Sequence, residues 1–155
     1  MNQFPNRIKG VRLSADINYD LSTTISAIKP DKVFYLFDEN TFKYCKPILS
    51  GVESLLESNL LVLKQGEENK NLDQVRKVWD FFEEQGAGRN SVLVTIGGGM
   101  LTDLGGFAAC TFKRGMSFVN VPTTLLAMVD ASVGGKTGIN YHGLKNEIGI
   151  IRQPN

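Results

Sequence analysis

The sequence has no surplus of charge of either sign. Its 17 basic and 16 acidic side chains leave a formal net charge of +1 over 155 residues. No long-range field of one sign exists to draw the chain to nucleic acid or to an anionic membrane, so any affinity for anions has to be local. Cysteine is scarce: Cys45 and Cys110 lie far apart and form no CxxC. That spacing is no secreted disulfide framework. Histidine is scarcer still, with His142 alone, between Tyr141 and Gly143. A catalytic zinc centre usually takes three protein ligands, and no HxxxH or Cys cluster offers them. His142 therefore reads as a solvated loop residue and the sequence shows no metal site. No run of about 18 apolar residues is present to span a membrane. The opening MNQFPNRIKG lacks the apolar core of a signal peptide. These absences lead us to expect a cytoplasmic protein without nucleic-acid or membrane partners.

The chain is the size of one domain, and we take residues 1–155 as a single unit. Apolar β-rich runs alternate with helical patterns. Lys32 to Phe37 reads as a buried strand, followed by a helical stretch from Asp38-Glu39 to about Leu49. Leu60 to Leu63 is a second strand. Asn71 is placed to cap a helix, with Gln74 closing a capping box. That helix carries Val75, Val78, Trp79 and Phe82 on one stripe and ends at Gly86 and Gly88. Ser91 to Ile96 is a strand, Leu101 to about Phe112 a helix, Ser117 to Val121 a strand, Thr123 to Ser132 a helix, and Ile148 to Ile151 an apparent strand. The alternation predicts an α/β fold, Rossmann-like and doubly wound, with a mostly parallel sheet and helices on both faces.

Glycine marks where the backbone has to come close to something. Eleven of the 16 glycines lie between Gly97 and Gly149, which places the site in the second half. The strand ending at Ile96 runs into Gly97-Gly98-Gly99 and then a helix. Glycines there let the backbone approach a ligand, and the helix that follows presents unpaired N–H groups to a phosphate. The pattern departs from GxGxxG, which needs glycine at Thr102. Asp103 falls in what should be the first helical turn, as a ligand-facing acid or simply a capping charge. Asp38 ends another strand, where an acid can accept ribose hydroxyls. Asn40 beside it either serves the same ligand or starts a helix. Gly66, Glu67 and Lys70 follow a third strand. These strand ends converge on one crevice.

A second polar cluster follows. Thr123 and Thr124 come after a strand, and Thr123 would suffice as an N-cap. Asp130, Gly134-Gly135-Lys136-Thr137-Gly138 and Lys145-Asn146 come next, with Arg114 upstream. A P-loop is excluded, because GxxxxGK[ST] needs glycine where Asp130 stands and a strand before it. What remains is a glycine-rich loop whose cations suit a phosphate or carboxylate, or are solvated surface lysines.

The stretch GGGMLTDLGGFAACTFKRGMSFVNVPTTLLAMVDASVGGKTGINYHGLKN, Gly97 to Asn146, resembles the 3-dehydroquinate synthase family over nearly its whole length. The likeness rests on the triple glycine with Asp103, Arg114-Gly115, Val-Pro-Thr-Thr, Asp130 through Gly138, and Lys145-Asn146. Glu67-x-x-Lys70 and Asp38-x-Asn40 extend it toward the amino terminus. The resemblance implies conversion of 3-deoxy-arabino-heptulosonate 7-phosphate to 3-dehydroquinate and phosphate, in the shikimate route to chorismate and the aromatic amino acids. NAD would be a catalytic cofactor, oxidising a ring hydroxyl and later returning the hydride. By position, Asp38, Asn40, Glu67, Lys70, Gly98, Gly99, Asp103, Thr123 and Thr124 would bind NAD. Asp130, Lys136, Lys145 and Asn146 would meet the sugar-phosphate substrate, with both lysines near NAD too. Arg114 would reach substrate across a homodimer interface.

The chain departs from the family at Glu147, where an apolar residue is usual, and at Arg152, where histidine is common. It also stops before the family's helical C-terminal domain, which supplies a glutamate and two histidines to a zinc or cobalt ion. The expectation is a chain inactive by itself. Competing readings are a related sugar-phosphate cyclase, a metal-dependent polyol dehydrogenase with the same kind of glycine turn, and a non-enzymatic nucleotide-binding module ending at Asn155. The lysine cluster argues against the dehydrogenase, since a small neutral alcohol needs none.

Overall fold

Four strands form one parallel sheet: β1 (Val33–Asp38), β2 (Leu60–Leu63), β3 (Val92–Gly97) and β4 (Ser117–Pro122), in the order β2-β1-β3-β4. The computed structural model describes residues 10–56 and 59–155, so residues 1–9 of the opening segment read above lie outside it. β3 is buried along its whole length and β1 at its centre. Strands covered on both faces are near-continuous apolar runs, which is why each was legible within a residue.

Alternate side chains feed two cores. On one face Phe34, Leu36, Leu63, Leu93 and Phe118 meet α3 (Leu72–Glu84) and α4 (Gly99–Thr111). On the other, Tyr35, Phe37, Val92, Val94 and Ile96 meet α1 (Ile17–Ile28) and the segment around α2 (Glu39–Tyr44). Phe82 stacks edge-on to Phe34 (5.3 Å) and Phe112 (5.1 Å), each pair adding about 1 kcal/mol beyond burial. Helix α1 is an element beyond those expected from the sequence. Its signals are an Asp16 N-cap that accepts from Tyr19 N–H and the spacing Ile17, Leu21, Ile25.

Several expected boundaries move. The helix after β1 ends at Tyr44 and continues only as a 3₁₀ turn, Lys46–Leu49, because Pro47 has no N–H to donate. Asn71 caps α3 by accepting from Gln74 N–H at 3.1 Å, while the Gln74 side chain turns to Lys77. The reciprocal capping box lies elsewhere, at Asp38 and Thr41. The stretch after β4 is helical but tightens into a π-turn, Ala127–Ala131, with Ser132 N–H reaching Ala127 O. Leu125, Leu126, Met128 and Val129 of that stretch are exposed.

The region from Lys136 on is the main correction. It is a hairpin, not a glycine-rich loop: β5 (Lys136–Tyr141) and β6 (Leu144–Ile151) pair antiparallel. His142 and Gly143 form its two-residue turn, both with positive φ, as twisted hairpins require. Helix α4 is clamped between sheet and hairpin, with nine of its residues buried, so it is apolar all round. Small residues let both layers close on it. A Cβ on Gly106 would sit 2.5 Å from Thr137 Cγ2 and 3.2 Å from Phe118 Cε2.

Gly106→Ala therefore overpacks this seam and should lower stability by about 2 kcal/mol in urea unfolding. A wild-type midpoint would show that the hairpin does not press on α4.

Candidate functional site

From β1 the chain passes to β2 on one side, and from β3 to β4 on the other. The gap between β1 and β3 is thus a topological switch point, where an open α/β sheet leaves a crevice beyond its carboxyl edge. Asp38 and Gly97-Gly98 flank it.

Gly98 is the N-cap of α4 and brings no side chain, while its carbonyl accepts from the N–H groups of Leu101 (3.1 Å) and Thr102 (3.0 Å). The first N–H groups of such a helix have no intrahelical acceptor and form an anion site. A Cβ on Gly98 would lie 3.1 Å from Thr124 Cγ2, and one on Gly99 3.4 Å from Ala131 Cβ. The turn after β4 therefore closes over the turn after β3. Thr123 N–H donates to Gly97 O at 3.0 Å. The cap falls on Thr124 rather than Thr123, since Thr124 Oγ1 accepts from Ala127 N–H at 3.3 Å.

Asp38 is fixed at its strand end. It accepts from Thr41 N–H at 2.8 Å, and Asp38 N–H donates to Thr41 Oγ1 at 3.0 Å. Exposed Asn40 donates to Gln65 Oε1, tying this edge to the segment after β2. Gln65 is a residue that sequence reasoning missed.

Lys70 joins what the sequence separates. It is 3% exposed, and its Nζ donates to Asp103 Oδ2 at 2.5 Å and to Asn146 Oδ1 at 2.6 Å. Its ammonium is thus engaged by protein groups on both sides. Asp103 also differs from expectation. Helix α4 begins at Gly99, two residues early, so Asp103 falls beyond the first turn and is matched by Lys70 rather than by the dipole. Burial pushes the Asp103 carboxyl above its ordinary value. The Lys70 hydrogen bond and charge oppose that push, and the Glu67 and Asp130 carboxylates add to it.

The hairpin brings Asn146 to this cluster, and Lys145 beside it lines a pocket with Glu67 and Asn140; both are exposed. Asn146 has φ 56° and donates its N–H to Asn140 Oδ1 at 2.9 Å. Asn140 in turn donates to Glu67, a contact that no motif in the sequence marked. Lys136 opens β5 and is exposed, and Asp130 sits exposed in the π-turn. Arg114 is not brought to the cluster. It precedes β4 and so lies at the opposite end of the strands, separated from Pro122 by the full length of β4, roughly 17 Å. Among the described residues no three His, Cys, Asp or Glu side chains gather as a metal site, both cysteines are free, and no helix is long and apolar enough to cross a membrane.

A family model described as 3-dehydroquinate synthase N-terminal matches residues 60–155. The chain is 46% identical over 144 residues to a 3-dehydroquinate synthase of Parabacteroides distasonis, covering 93% of this chain and 41% of that protein. The solved structure of 2-epi-5-epi-valiolone synthase from Streptomyces hygroscopicus, with NAD+ and Zn2+ bound, matches with a TM-score of 0.82 at 25% identity. That match covers 99% of this chain and 43% of the other. A 2-deoxy-scyllo-inosose synthase complexed with carbaglucose-6-phosphate, NAD+ and Co2+ matches at 0.76 and 25%, covering 90% of this chain and 38% of the other. The chain thus spans less than half the length of each of these proteins.

Removing the ammonium tests the junction. Lys70→Met leaves the half-buried Asp103 carboxylate without its cation and should cost about 2 kcal/mol at pH 7. The sign with pH follows from the raised folded-state value. Lys70 opposes that rise, so in the variant the protonated acid is the form the fold tolerates, and stability falls as pH rises through the folded-state value. The deficit should shrink toward pH 4, and adding Asp103→Asn should recover part of it at pH 7. A loss of equal size at both pH values would contradict the pairing.

Proposed function

The chain belongs to the 3-dehydroquinate synthase family, and we propose that it forms the NAD-binding segment of an enzyme that converts 3-deoxy-arabino-heptulosonate 7-phosphate to 3-dehydroquinate and phosphate. The observation that carries the cofactor assignment is the side-chain-free N-terminus of α4 at the switch point, with a fixed carboxylate, Asp38, at the end of the neighbouring strand. That pair fits a dinucleotide: N–H groups for the pyrophosphate and an acid for ribose hydroxyls. Two structures of similar fold hold NAD+, which supports the same reading. When bound, NAD supplies reversible hydride transfer at a ring hydroxyl.

The chain's own residues then hold and orient. Gly98 and Gly99 leave room for phosphate oxygens, Asp38 and Asn40 serve the adenosine side, and Thr123 and Thr124 close the opposite wall. Glu67, Lys70 and Asp103 support the nucleotide from the β2 side, Lys70 largely through its hold on Asp103. Lys136, Lys145, Asn146 and Asp130 face the sugar phosphate, where ammonium groups suit a dianion, and both lysines also lie near the bound NAD. Arg114, at the far end of the strands, suits a site other than its own chain's, which supports a homodimer in which it reaches the partner's substrate. Two unpaired thiols agree with a cytoplasmic setting. The described residues do not fit a metal ion, so no step here runs through one, and zinc or cobalt belongs to the remainder of such an enzyme. The cyclase alternative is weaker, because identity is 46% to the synthase and 25% to the cyclases. The dehydrogenase alternative gives way to the family match.

Calorimetry with NAD tests the cradle. The 155-residue chain should bind saturably, and Gly98→Val, which fills the space below Thr124, should weaken binding by about tenfold or more with the fold intact. Equal affinity in the variant would move the cofactor elsewhere. The same chain should release phosphate from substrate no faster than background, and enzymatic turnover would overturn its assignment as a binding segment only.

A further inference from the structure

The hairpin ladder is irregular at one place. Ile139 pairs with Ile148 and Tyr141 with Leu144, so Asn140 alone on β5 stands opposite Lys145, Asn146 and Glu147 on β6. Surplus residues on one strand bend it and re-aim its side chains, and such bulges gather beside active sites. Here the bulge contains the two residues assigned above to the ligand. Asn146 also takes a left-handed backbone, φ 56°, which asparagine tolerates better than most residues but which has to be held.

Asn140 does the holding. Its Oδ1 accepts from Asn146 N–H at 2.9 Å, replacing the ladder partner that the bulge removes. Its Nδ2 donates to Glu67 Oε1 at 2.9 Å and Glu67 O at 3.3 Å, and its backbone N–H donates to Lys70 O at 2.8 Å. The bulge is thereby tied to the segment after β2, while Lys70 Nζ fixes the Asn146 side chain from the other side. We propose that Asn140 is a positioning residue that locks the β6 bulge and so sets the direction in which Lys145 and Asn146 meet the ligand. The inference rests on the reading of Lys145 and Asn146 as ligand-facing. Asn140 acts through them and needs no ligand contact itself. Both halves of its amide are used, so neither an isosteric apolar residue nor an acid beside Glu67 replaces it fully.

Amide hydrogen exchange and NAD calorimetry on the 155-residue chain test this, with Asn140→Leu and Asn140→Asp. In Asn140→Leu, Asn146 N–H exchange should rise about tenfold or more while β3 amides keep their protection. NAD affinity should fall about three- to tenfold in the same variant. Asn140→Asp keeps the acceptor, so Asn146 exchange should stay within about threefold of wild type. Unchanged Asn146 exchange in Asn140→Leu overturns the proposal. So does a released Asn146 with wild-type NAD affinity, and so does loss of β3 protection, which would make the role one of folding. If the unsubstituted chain binds no NAD, the cofactor reading fails instead, and the exchange arm alone decides whether Asn140 holds the bulge.

Discussion

The ammonium of Lys70 is taken out of water and given two acceptors, Asp103 at 2.5 Å and Asn146 at 2.6 Å. Stripping a charge of solvent costs several kcal/mol unless geometry and partners repay it. The ammonium and its two partners come from three places in the chain, with Asp103 33 and Asn146 76 residues from Lys70. The segment after β2, the helix after β3 and the closing hairpin therefore have to assemble together. A partial assembly leaves a buried charge unmatched, which makes the junction cooperative. The raised Asp103 carboxyl records the same burial from the acid's side.

Around that junction the work divides between two layers. The parallel sheet and α4 build the proposed cradle, which depends on backbone alone: glycines without Cβ atoms and N–H groups at a helix start. The hairpin carries the cations and the amide. It has no place in the four-stranded sheet and docks on the outer side of α4 through Thr137 and Ile139. The Lys70, Asn140 and Glu67 bonds register this layer against the start of α4, as the proposed site requires.

The sheet was legible in the sequence because parallel strands buried on both faces are unbroken apolar runs. The strand-end polar groups were legible for the related reason that nothing in such a core needs Asp38 or a triple glycine. Helix α4 began earlier than expected because Gly99 has little intrinsic helix preference, while Met100 packs against the core. The hairpin escaped because Gly138, Gly149 and the bulge interrupt its alternation, although His142-Gly143 is the kind of two-residue turn that marks one. The Lys70 pairing could not be read at all. Its partners are neighbours only once β2, α4 and β6 are stacked, and no spacing rule connects them.

A crystal structure of this chain grown with NAD tests the central claim most directly. The account predicts the pyrophosphate against the N–H groups at Gly98 and Gly99, a ribose at Asp38, and the Lys70 bonds to Asp103 and Asn146 unchanged. NAD seated away from the switch point, or bound only after those two bonds have broken and the hairpin has left α4, would contradict it.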